Sequence, residues 1–449
     1  MKVLLADPPD AFLRGDGLTR QVQPLGLAYV GAALARRHDV RFLLPDTRAY
    51  RGDDPWGEIA GAIAAESPDV VGLGAVTATF PAACRLARLV KEIDPSVPVV
   101  LGGAHASAEA LGAARREPAI DFVVRGEGEK VMARLVDALD AGATGQAGEW
   151  AEIPGLLWRG RADGSIHPPA APEPPNDLDR LALPLRTGLV WSDDVTAGFY
   201  EAMVTARGCP YGCIYCGASS RDRPVRFRSP ENVADEVAHL REHFDVRNLF
   251  FHDSVFTLDR RRTLSLCGLL VARGLAMTFQ CQTRVDCVDG ELLAAMRAAG
   301  CRHVLFGIES GDERTLERIG KGIGLETIRR AVRMVKALGI RATGFFMIGL
   351  PWETPAEMER TVEFACDLGL DAVNLFSATP LPGTKLWEMV SDRRRTLPEC
   401  VDFRTPQVNL TALDDAAYAG IFRRAQARFD DYNRSQATVA SRQPGDLPL

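Results

Sequence analysis

The chain has no apolar run of membrane-spanning length, no long basic run, and no segment with the apolar centre of a secretory signal. These absences exclude a membrane-embedded protein and argue against nucleic acid as the main partner. Lysine and arginine number 53 against 59 aspartate and glutamate, a formal net charge of −6. Hydrophobic residues make up 46% and charged residues 25% of the 449 residues, which is typical of a globular protein with two or three domains.

Most of the ten cysteines also lack any regular spacing. Cys84, Cys267 and Cys366 stand singly in helical patterns, where cysteine packs as a small hydrophobe. Four more are scattered, namely Cys281, Cys287, Cys301 and Cys400. This distribution offers neither an auxiliary cluster site near the C-terminal end nor a three-cysteine set in the N-terminal part. Free thiols without a secretory signal predict a reducing, cytoplasmic location.

Only Cys209, Cys213 and Cys216 have ligand spacing, in the run Thr-Ala-Arg-Gly-Cys-Pro-Tyr-Gly-Cys-Ile-Tyr-Cys. This C-x3-C-x2-C loop offers three thiolates where an iron–sulfur cluster usually takes four, so one iron would remain open to another ligand. Glycine and proline within the loop supply its tight turns. A structural zinc site is the alternative, but zinc takes four closed ligands and no second cysteine or histidine pair follows at a suitable spacing.

Residues 1–145 alternate apolar runs with helical periodicity, which predicts a separate α/β domain. Strands are predicted at residues 2–5, 40–44, 70–73, 97–101 and 122–124. Helices are predicted near residues 25–37, 55–66, 81–93, 107–116 and 129–141. Parallel strands joined by helices form a doubly wound, flavodoxin-like sheet, whose ligands bind at the carboxyl ends of the strands.

Three loops follow strands of this domain, at residues 72–79, 102–107 and 125–129. The small residues of the first two would let a large flat ligand approach the backbone. Alternatively, their glycines serve only the tight strand-to-helix turns. Candidate ligand contacts in the three loops are Thr77, Gly102, Gly103, His105, Gly126 and Glu127.

Residues 146–195 predict a proline-rich linker, because the stretch His-Pro-Pro-Ala-Ala-Pro-Glu-Pro-Pro forms neither helix nor central strand. A small hairpin is predicted around residues 153–166. Residues 391–449 predict a helical cap and a disordered tail. In that cap, residues 414–435 form an amphipathic helix that places Tyr418, Ile421, Phe422 and Phe429 on one side.

Residues 196–390 contain six predicted strand–helix units, which indicate an open, partial TIM-like barrel. The strands are predicted at residues 202–206, 248–252, 278–282, 303–308, 342–348 and 372–376. Active sites of such barrels lie at the carboxyl ends of the strands. Beside the three cysteines, the candidate site residues there are Tyr215, Asp253, Gln282, Arg284, Glu309, Ser310 and Gly349.

The order of these motifs resembles the cobalamin-binding radical S-adenosylmethionine (SAM) family, in style most closely the class B radical SAM methylases. The resemblance rests on Pro-Leu-Gly-Leu-Ala-Tyr-Val, Gly-Gly-Ala-His and Gly-Glu-Gly-Glu ahead of the cysteine loop, and on Tyr215 before its last cysteine. It extends from residue 1 to about residue 387. The resemblance implies three cofactors: a 4Fe-4S cluster on Cys209, Cys213 and Cys216, SAM on the open iron, and cobalamin in the N-terminal domain.

The same resemblance implies roles for individual residues. Tyr215 would lie near the adenine of SAM, and Gly349 would let the backbone lie against it. Glu309 and Arg284 would meet its ribose or methionine portion. The chain departs from other corrinoid proteins because the Asp-x-His-x-x-Gly signature is absent. Cobalamin is therefore expected base-off, with His105 contacting the corrin side chains or the backbone rather than the cobalt.

The function implied is methylation of a carbon or phosphorus centre of a small molecule, a specialised-metabolite intermediate, through a 5′-deoxyadenosyl radical and methylcobalamin. A low-potential donor of the flavodoxin or ferredoxin type would supply electrons, and no nucleic-acid or membrane partner is expected. Three alternatives stay open. They are a cobalamin radical SAM enzyme that cyclises, oxidises or rearranges its substrate, a radical SAM enzyme with a corrinoid-free scaffold domain, and a non-catalytic metal-binding module.

Overall fold

The computed structural model describes residues 1–9, 24–44, 54–143, 150–186, 201–218, 224–275, 277–390 and 401–440. The chain divides into two compact units, one of residues 1–176, 180–196 and 399–401 and the other of residues 177–179, 197–398 and 402–449. Each unit has its own sheet. Cys400 and the end of the predicted tail lie outside the described residues.

The first unit contains a seven-stranded sheet in the order β2-β1-β3-β4-β5-β6-β7. Its strands are β1 (Lys2–Ala6), β2 (Asp39–Leu43), β3 (Val70–Gly74), β4 (Val99–Gly102), β5 (Phe122–Val124), β6 (Leu156–Arg159) and β7 (Ile166–His167). The first five are parallel, in the flavodoxin-like order that alternating strands and helices predict. Strands β6 and β7 pair antiparallel, so the predicted hairpin extends this sheet instead of standing apart from it.

Helices cover both faces of the first sheet. They are α1 (Leu25–Leu34), α2 (Pro55–Glu66), α3 (Phe80–Ile93), α4 (Ala104–Ala108), α5 (Ala110–Arg116) and α6 (Gly128–Asp140). The predicted start of the helix over residues 107–116 was wrong, because the structure has two short helices, α4 and α5, over residues 104–116. Alternate residues of β1 enter two separate cores, Val3 and Leu5 on one face and Leu4 and Ala6 on the other. Burial on both faces explains why these strands are continuous apolar runs.

The second unit contains a six-stranded parallel sheet in the order β15-β14-β13-β12-β11-β8. Its strands are β8 (Glu201–Met203), β11 (Asn248–Phe251), β12 (Thr278–Thr283), β13 (Cys301–Glu309), β14 (Arg341–Ile348) and β15 (Ala372–Ser377). Two short strands, β9 (Ala206–Arg207) and β10 (Arg226–Phe227), form a separate antiparallel pair. The predicted fold class, a flavodoxin-like sheet followed by a six-stranded partial barrel, is confirmed.

Helices of the second unit alternate with its strands. They are α7 (Pro230–Phe244), α8 (Arg260–Ala272), α9 (Gly290–Ala299), α10 (Glu313–Arg318), α11 (Leu325–Ala337), α12 (Pro355–Asp367), α13 (Lys385–Met389) and α14 (Asp415–Ala440). They bury one face of the sheet in a single core. The strands accordingly alternate between buried and partly exposed residues, as β12 and β15 do throughout.

The predicted C-terminal helix is present as α14, and it packs beside the edge strand β15. Its Tyr418, Phe422 and Phe429 are buried, as the amphipathic pattern predicts. The Asn433 amide donates to the carbonyl of Val373 and accepts from its N–H, at 2.9 Å each, so it satisfies the backbone of an otherwise open edge. None of the helices in the described ranges is both long and apolar enough to span a bilayer.

Candidate functional site

The cysteine loop leaves β9 at the carboxyl end of the second sheet. Gly208 starts the loop in the left-handed region, at a φ of 100° that favours glycine. Cys213 is buried, Cys209 and Cys216 are partly exposed, and none of the three is in a disulfide. The Cys216 N–H donates to the Cys213 carbonyl at 3.2 Å, which closes the tight turn that brings these two cysteines together.

A segment after α10 is docked against this loop. The Ile214 N–H donates to the Ile319 carbonyl at 3.0 Å, and the Gly320 carbonyl lies 4.0 Å from the Cys213 sulfur. Gly320 has a φ of 71°, and a Cβ there would lie 3.0 Å from the Gly212 carbonyl. The contact between loop and segment therefore depends on a glycine at position 320.

Lys321, the next residue of this segment, connects the loop to the end of β13. Its ammonium lies 3.1 Å from a Glu309 carboxylate oxygen and 3.5 Å from the Tyr215 hydroxyl. The two side chains of the pair are 6% and 14% exposed, so the pair is largely desolvated. Burial, followed by the neighbouring Glu309, raises the pKa of Tyr215 well above its usual value.

Room for this pair comes from the backbone of β13. A Cβ on Gly307 would lie 2.7 Å from the Glu309 carboxylate. Glu309 itself has a φ of 75°, rare for a residue with a side chain and a strain that often marks functional positions. Sequence reasoning identified Glu309 and Tyr215 but missed Lys321. The sequence feature that could have identified Lys321 is its position between two glycines, twelve residues after Glu309.

Arg284 lies beneath the cysteine loop and is committed to protein contacts. Its guanidinium donates to both Asp286 oxygens, at 2.9 and 2.8 Å, and to the Lys321 carbonyl at 2.7 Å. It also stacks at 3.6 Å over the ring of Tyr211, a residue of the loop. One guanidinium nitrogen, Nη1, is buried without a hydrogen-bond partner among the described residues. Arg284 thus holds the loop, and its contact with SAM stays a prediction.

Cys287, one of the cysteines without regular spacing, lies close to the cysteine loop. The Cys287 sulfur lies 3.1 Å from the Tyr211 hydroxyl. Spacing in the sequence separated Cys287 from the cluster motif, and only the fold brings them together. Burial raises the pKa of Cys287.

Asp253 holds the backbone that leads into the cysteine loop. It is 1% exposed, and one carboxylate oxygen accepts from the N–H groups of Thr205 and Ala206, at 2.6 and 3.0 Å. The other oxygen accepts from the Thr205 hydroxyl. The Thr205 carbonyl in turn accepts from the Arg262 guanidinium at 3.0 Å. This buried network fixes the entry to the loop, and a cofactor contact of Asp253 stays a prediction.

Ser310 makes hydrogen bonds within the turn after β13. It is 1% exposed, its hydroxyl lies 3.0 Å from the Thr361 hydroxyl, and it accepts from the Asp312 N–H at 3.1 Å. Ser310 therefore orders this turn, and a cofactor contact of Ser310 stays a prediction.

Gly349 lies against a side chain of α14, and the expected contact of its backbone with the adenine of SAM stays a prediction. A Cβ on Gly349 would collide with the Tyr418 hydroxyl of α14, and the glycine has a φ of 95°. One Glu353 oxygen accepts from the N–H groups of Gly349 and Leu350, at 2.7 and 2.8 Å. Burial raises the pKa of Glu353 to about 7. The turn after β14 is thus shaped by α14 and Glu353.

In the first unit, the loops after β3 and β4 are joined by backbone hydrogen bonds. The Ala75 N–H donates to Gly102 at 2.9 Å, and the His105 N–H donates to Ala75 at 3.1 Å. Gly103, with a φ of 99°, lies so close that a Cβ would be 2.5 Å from the Ala75 carbonyl. Gly103 therefore lets the two loops come into backbone contact, and its role as a ligand contact stays a prediction.

His105 is buried beneath these loops. Its ring stacks on Phe80 at 4.0 Å, and its Nδ1 lies 3.2 Å from the Thr77 hydroxyl. Burial, with Arg116 nearby, lowers the pKa of His105 to about 4, so the ring is neutral. These contacts give both predicted residues a place in holding the loop. A role as corrin contacts stays a prediction.

The third loop is tied to the second. Ser107 accepts from the Gly126 N–H at 3.0 Å and donates to the Gly103 carbonyl at 2.9 Å. Gly126 has a φ of 89°, and a Cβ there would lie 3.0 Å from Pro172 of the proline-rich segment. Glu127 is partly exposed directly before α6.

Both sites suit the groups that the sequence predicts. In the first unit, a Cβ on Gly102 would meet no atom nearer than 4.0 Å, and the Val76 side chain is 51% exposed in the adjoining loop. A small residue beside an exposed apolar one, on loops held by internal hydrogen bonds, suits a large flat ligand.

In the second unit, the thiols of one loop provide three ligands of a cluster. Among the described residues, no three His, Cys, Asp or Glu side chains converge as a single metal ion would require. A cubane needs no such convergence, because each cysteine binds a different iron.

Comparison with protein families identifies both units. The radical SAM superfamily matches residues 203–365, and the B12-binding domain matches residues 18–136. The expected cofactors, a 4Fe-4S cluster, SAM and cobalamin, are thereby confirmed.

Individual relatives span most of the chain. An uncharacterized methyltransferase of Pyrococcus horikoshii is 35% identical over 397 residues, which cover 86% of this chain and 83% of the relative. An anaerobic magnesium-protoporphyrin IX monomethyl ester cyclase of Rubrivivax gelatinosus is 31% identical over 353 residues, covering 77% of this chain and 63% of the relative. The fold resembles TsrM, a radical S-adenosylmethionine methyltransferase of Kitasatospora setae solved with cobalamin and a 4Fe-4S cluster. Its TM-score is 0.69 at 21% identity, over 86% of this chain and 76% of TsrM.

Proposed function

This chain belongs to the cobalamin-binding radical SAM enzymes, and from that membership we propose that it methylates a carbon or phosphorus centre of a small molecule. The observation that carries the proposal is the pairing of two sites in one chain. A three-cysteine loop is braced by Lys321, Glu309 and Arg284, and a separate B12-binding sheet precedes it. The relative from Pyrococcus horikoshii, similar over most of both chains, carries a methyltransferase name.

When bound, the cluster with SAM supplies hydrogen-atom abstraction, and cobalamin supplies the methyl group. The chain's own residues position and shield these groups. Cys209, Cys213 and Cys216 would hold three irons. Lys321 and Glu309 present a cation and an anion side by side, which complements the carboxylate and ammonium of the methionine portion of SAM.

The surrounding residues keep this arrangement rigid. Asp253 fixes the entry to the cysteine loop, and Arg284 links the loop to the Lys321 segment. Side chains held by such contacts lose less conformational freedom when a ligand binds. In the first unit, Gly102 and Val76 offer the surface for the corrin, and His105 supports it from beneath.

The stoichiometry follows from the proposed reaction. Each methylation would consume two SAM and two electrons, and it would release 5′-deoxyadenosine, methionine and S-adenosylhomocysteine. A low-potential donor of the flavodoxin or ferredoxin type would deliver the electrons. A specialised-metabolite intermediate is the proposed substrate class.

A second candidate function is cyclisation or oxidation with the same cofactors, which the similarity to the Rubrivivax gelatinosus cyclase favours. The products distinguish the two functions. Methylation forms S-adenosylhomocysteine together with 5′-deoxyadenosine, whereas cyclisation forms no S-adenosylhomocysteine in proportion to product.

The test compares protein reconstituted with iron and sulfide alone against protein that also received hydroxocobalamin. Both are given SAM, a low-potential reductant and candidate substrates. Reductive SAM cleavage should run in both, while S-adenosylhomocysteine and methylated product should require cobalamin. The Cys213→Ala variant should lose SAM cleavage, and the Cys301→Ala variant, whose thiol is buried in the core, should retain it. Methyl transfer without cobalamin would refute the proposed function.

A further inference from the structure

Two histidines lie one helical turn apart near the end of α7. The buried side of this helix, which includes Val233, Val237 and Leu240, enters the core of the second unit. His239 is partly exposed, and His243 is exposed. Residues four positions apart lie on the same face of a helix, so both imidazoles stand on the solvent side of α7.

The two imidazole rings are held close together. Their centroids are 4.4 Å apart, and the ring planes are inclined by 31°. The ring of Phe244 meets the ring of His239 edge to face, at 5.7 Å between centroids. The Nδ1 of His243 lies 3.1 Å from the His239 carbonyl oxygen. Both rings are therefore oriented by contacts within the helix itself.

The hydrogen bond to the carbonyl determines which nitrogen of His243 can bind a ligand. A carbonyl oxygen only accepts, so Nδ1 must be the donor and carries the proton. In the neutral ring, Nε2 then carries the lone pair. Histidines that bind a metal through one ring nitrogen commonly donate from the other to a backbone carbonyl, which is the arrangement of His243.

The end of α7 favours a cation at this position. The helix ends at Phe244, and the last turn of a helix carries a partial negative charge on its carbonyl groups. Glu242, three positions after His239, is exposed and adds a carboxylate to the same turn. A positive ion between the two rings would be attracted by both.

The nearby arginines are bound to other groups. Arg273 pairs with Asp235 at 2.5 Å, and Arg241 donates to the Gly274 carbonyl at 2.6 Å. Asp235 lies one turn before His239, but its carboxylate is occupied by this ion pair. Among the described residues, no third His, Cys, Asp or Glu joins the two imidazoles. The pair therefore offers two nitrogen ligands, and water would complete the coordination of an ion.

We propose that His239 and His243 bind a divalent transition-metal ion through one nitrogen of each ring. Imidazole suits Zn²⁺, Ni²⁺ and Cu²⁺, and two histidines at this spacing on a helix can share one ion. Permanently bound metals take three or four protein ligands, so an ion held by two exchanges with the solution. The ion would link the last two turns of α7. This inference is separate from the proposed function and does not rest on it.

The test is isothermal titration calorimetry of Ni²⁺ into the untagged full chain reconstituted with cluster and cobalamin. Ni²⁺ is the probe because, unlike Cu²⁺, it does not oxidise thiols. The protein should bind Ni²⁺ more tightly than Mg²⁺, because Mg²⁺ prefers oxygen ligands. No binding at about 1 mM Ni²⁺, where a weak site would already fill, would overturn the proposal. Equal binding of Mg²⁺ would overturn it as well.

Variants locate the ion. His239→Gln and His243→Gln each leave a single imidazole, so each should weaken Ni²⁺ binding about ten- to a hundredfold. Glutamine is a good helix former, and thermal melting of each variant checks that α7 is intact. His167→Gln is the matched control, at a partly exposed histidine that stacks on Trp158 in the first unit, and it should bind Ni²⁺ as the parent does.

Binding of Ni²⁺ by thiols would give a different result. The heat of binding would then persist in both His239→Gln and His243→Gln, with parent-like melting, and this outcome would overturn the proposal. Loss of binding in these two variants, with binding retained in His167→Gln, would support it.

Discussion

The two sheets of this protein differ in how their faces are covered. In the first unit, both faces are packed by helices, and successive residues of β1 enter alternate cores. In the second unit, a single core covers one face, and the other face carries partly exposed aromatic and polar side chains. Within the described residues, the first sheet is therefore covered on both faces, whereas the second has one covered face.

Glycines also have different roles in the two units. In the first, Gly103 and Gly126 bring loops and the proline-rich segment together, which builds a preformed platform. In the second, Gly307 and Gly320 make room for the Glu309–Lys321 pair and for the cysteine loop. The glycines of the first unit shape the loops at one edge of its sheet. Those of the second unit bring charged side chains to the cysteine loop.

The largest expected effect on ligand binding tests whether the two sites are independent. Lys321→Met removes the cation that bridges Glu309 and Tyr215, and it leaves a largely buried carboxylate unpaired. Binding of SAM should weaken about ten- to a hundredfold, the value of a charge-assisted hydrogen bond, while cobalamin content stays at the parent level. Calorimetry with SAM and the corrinoid absorption spectrum measure the two sites separately.

Lys336→Met is the matched control for this variant. Lys336 pairs with Asp371 at the surface, where its side chain is 39% exposed. Exposed pairs contribute on the order of 0–1 kcal/mol, so both SAM and cobalamin binding should be unchanged. A parallel loss of cobalamin in Lys321→Met would contradict the independence of the two units.

An effect on stability, and not on ligand binding, distinguishes the carboxyl end of the second sheet by its pH dependence. Burial raises the pKa of Glu353 to about 7 from 4.5, although its hydrogen bonds from Leu350 and Gly349 oppose the shift. Glu357 and Asp312, the charged groups that face it, add to the increase. Between pH 4.5 and 7 the unfolded chain releases this proton and the folded protein keeps it. Stability should therefore fall as the pH rises through this window and level off above it.

Glu353→Gln removes this titration and still accepts from Gly349 and Leu350 through its amide oxygen. The parent should lose on the order of 3 kcal/mol relative to Glu353→Gln between the two ends of the window. Urea unfolding of both proteins at several pH values measures this difference. Parallel pH profiles for the two proteins would show that Glu353 ionises normally.

Local sequence patterns predicted the fold well, because the spacing of apolar residues along a strand indicates how many faces of the sheet are buried. Continuous apolar runs indicate strands buried on both faces, and alternating runs in β12 and β15 indicate strands buried on one face. The antiparallel extension by β6 and β7 was visible as a hairpin. Its attachment to the first sheet depends on an edge that no local pattern describes.

The candidate site was predictable only where ligand chemistry dictates the spacing. Three cysteines within eight residues reveal a cluster loop. Lys321 and Cys287 are distant in sequence, and only the return of the chain brings them to Tyr215 and Tyr211. Polarity at a strand end does not separate a ligand contact from a protein contact, so the predicted cofactor contacts of Asp253, Ser310 and Gly349 stay predictions. All three are used by the fold itself.

The smallest expected effect concerns His105 in the first unit, and it tests whether the edge of that sheet binds cobalamin by shape alone. His105 is 6% exposed, stacks on Phe80, and is hydrogen-bonded through Nδ1 to Thr77, so its ring supports the loop.

His105→Ala should lower the affinity for cobalamin by loosening this loop. It should leave the cobalt coordination unchanged, because the ring is buried and stacked on Phe80. Electron paramagnetic resonance of the Co(II) state reads the coordination, and Phe80→Leu, which loosens the same loop without removing a nitrogen, is the matched control. A nitrogen splitting that is present in the parent and in Phe80→Leu but lost in His105→Ala would show that His105 reaches the cobalt, and the edge of the first sheet would then bind its ligand by coordination as well as by shape.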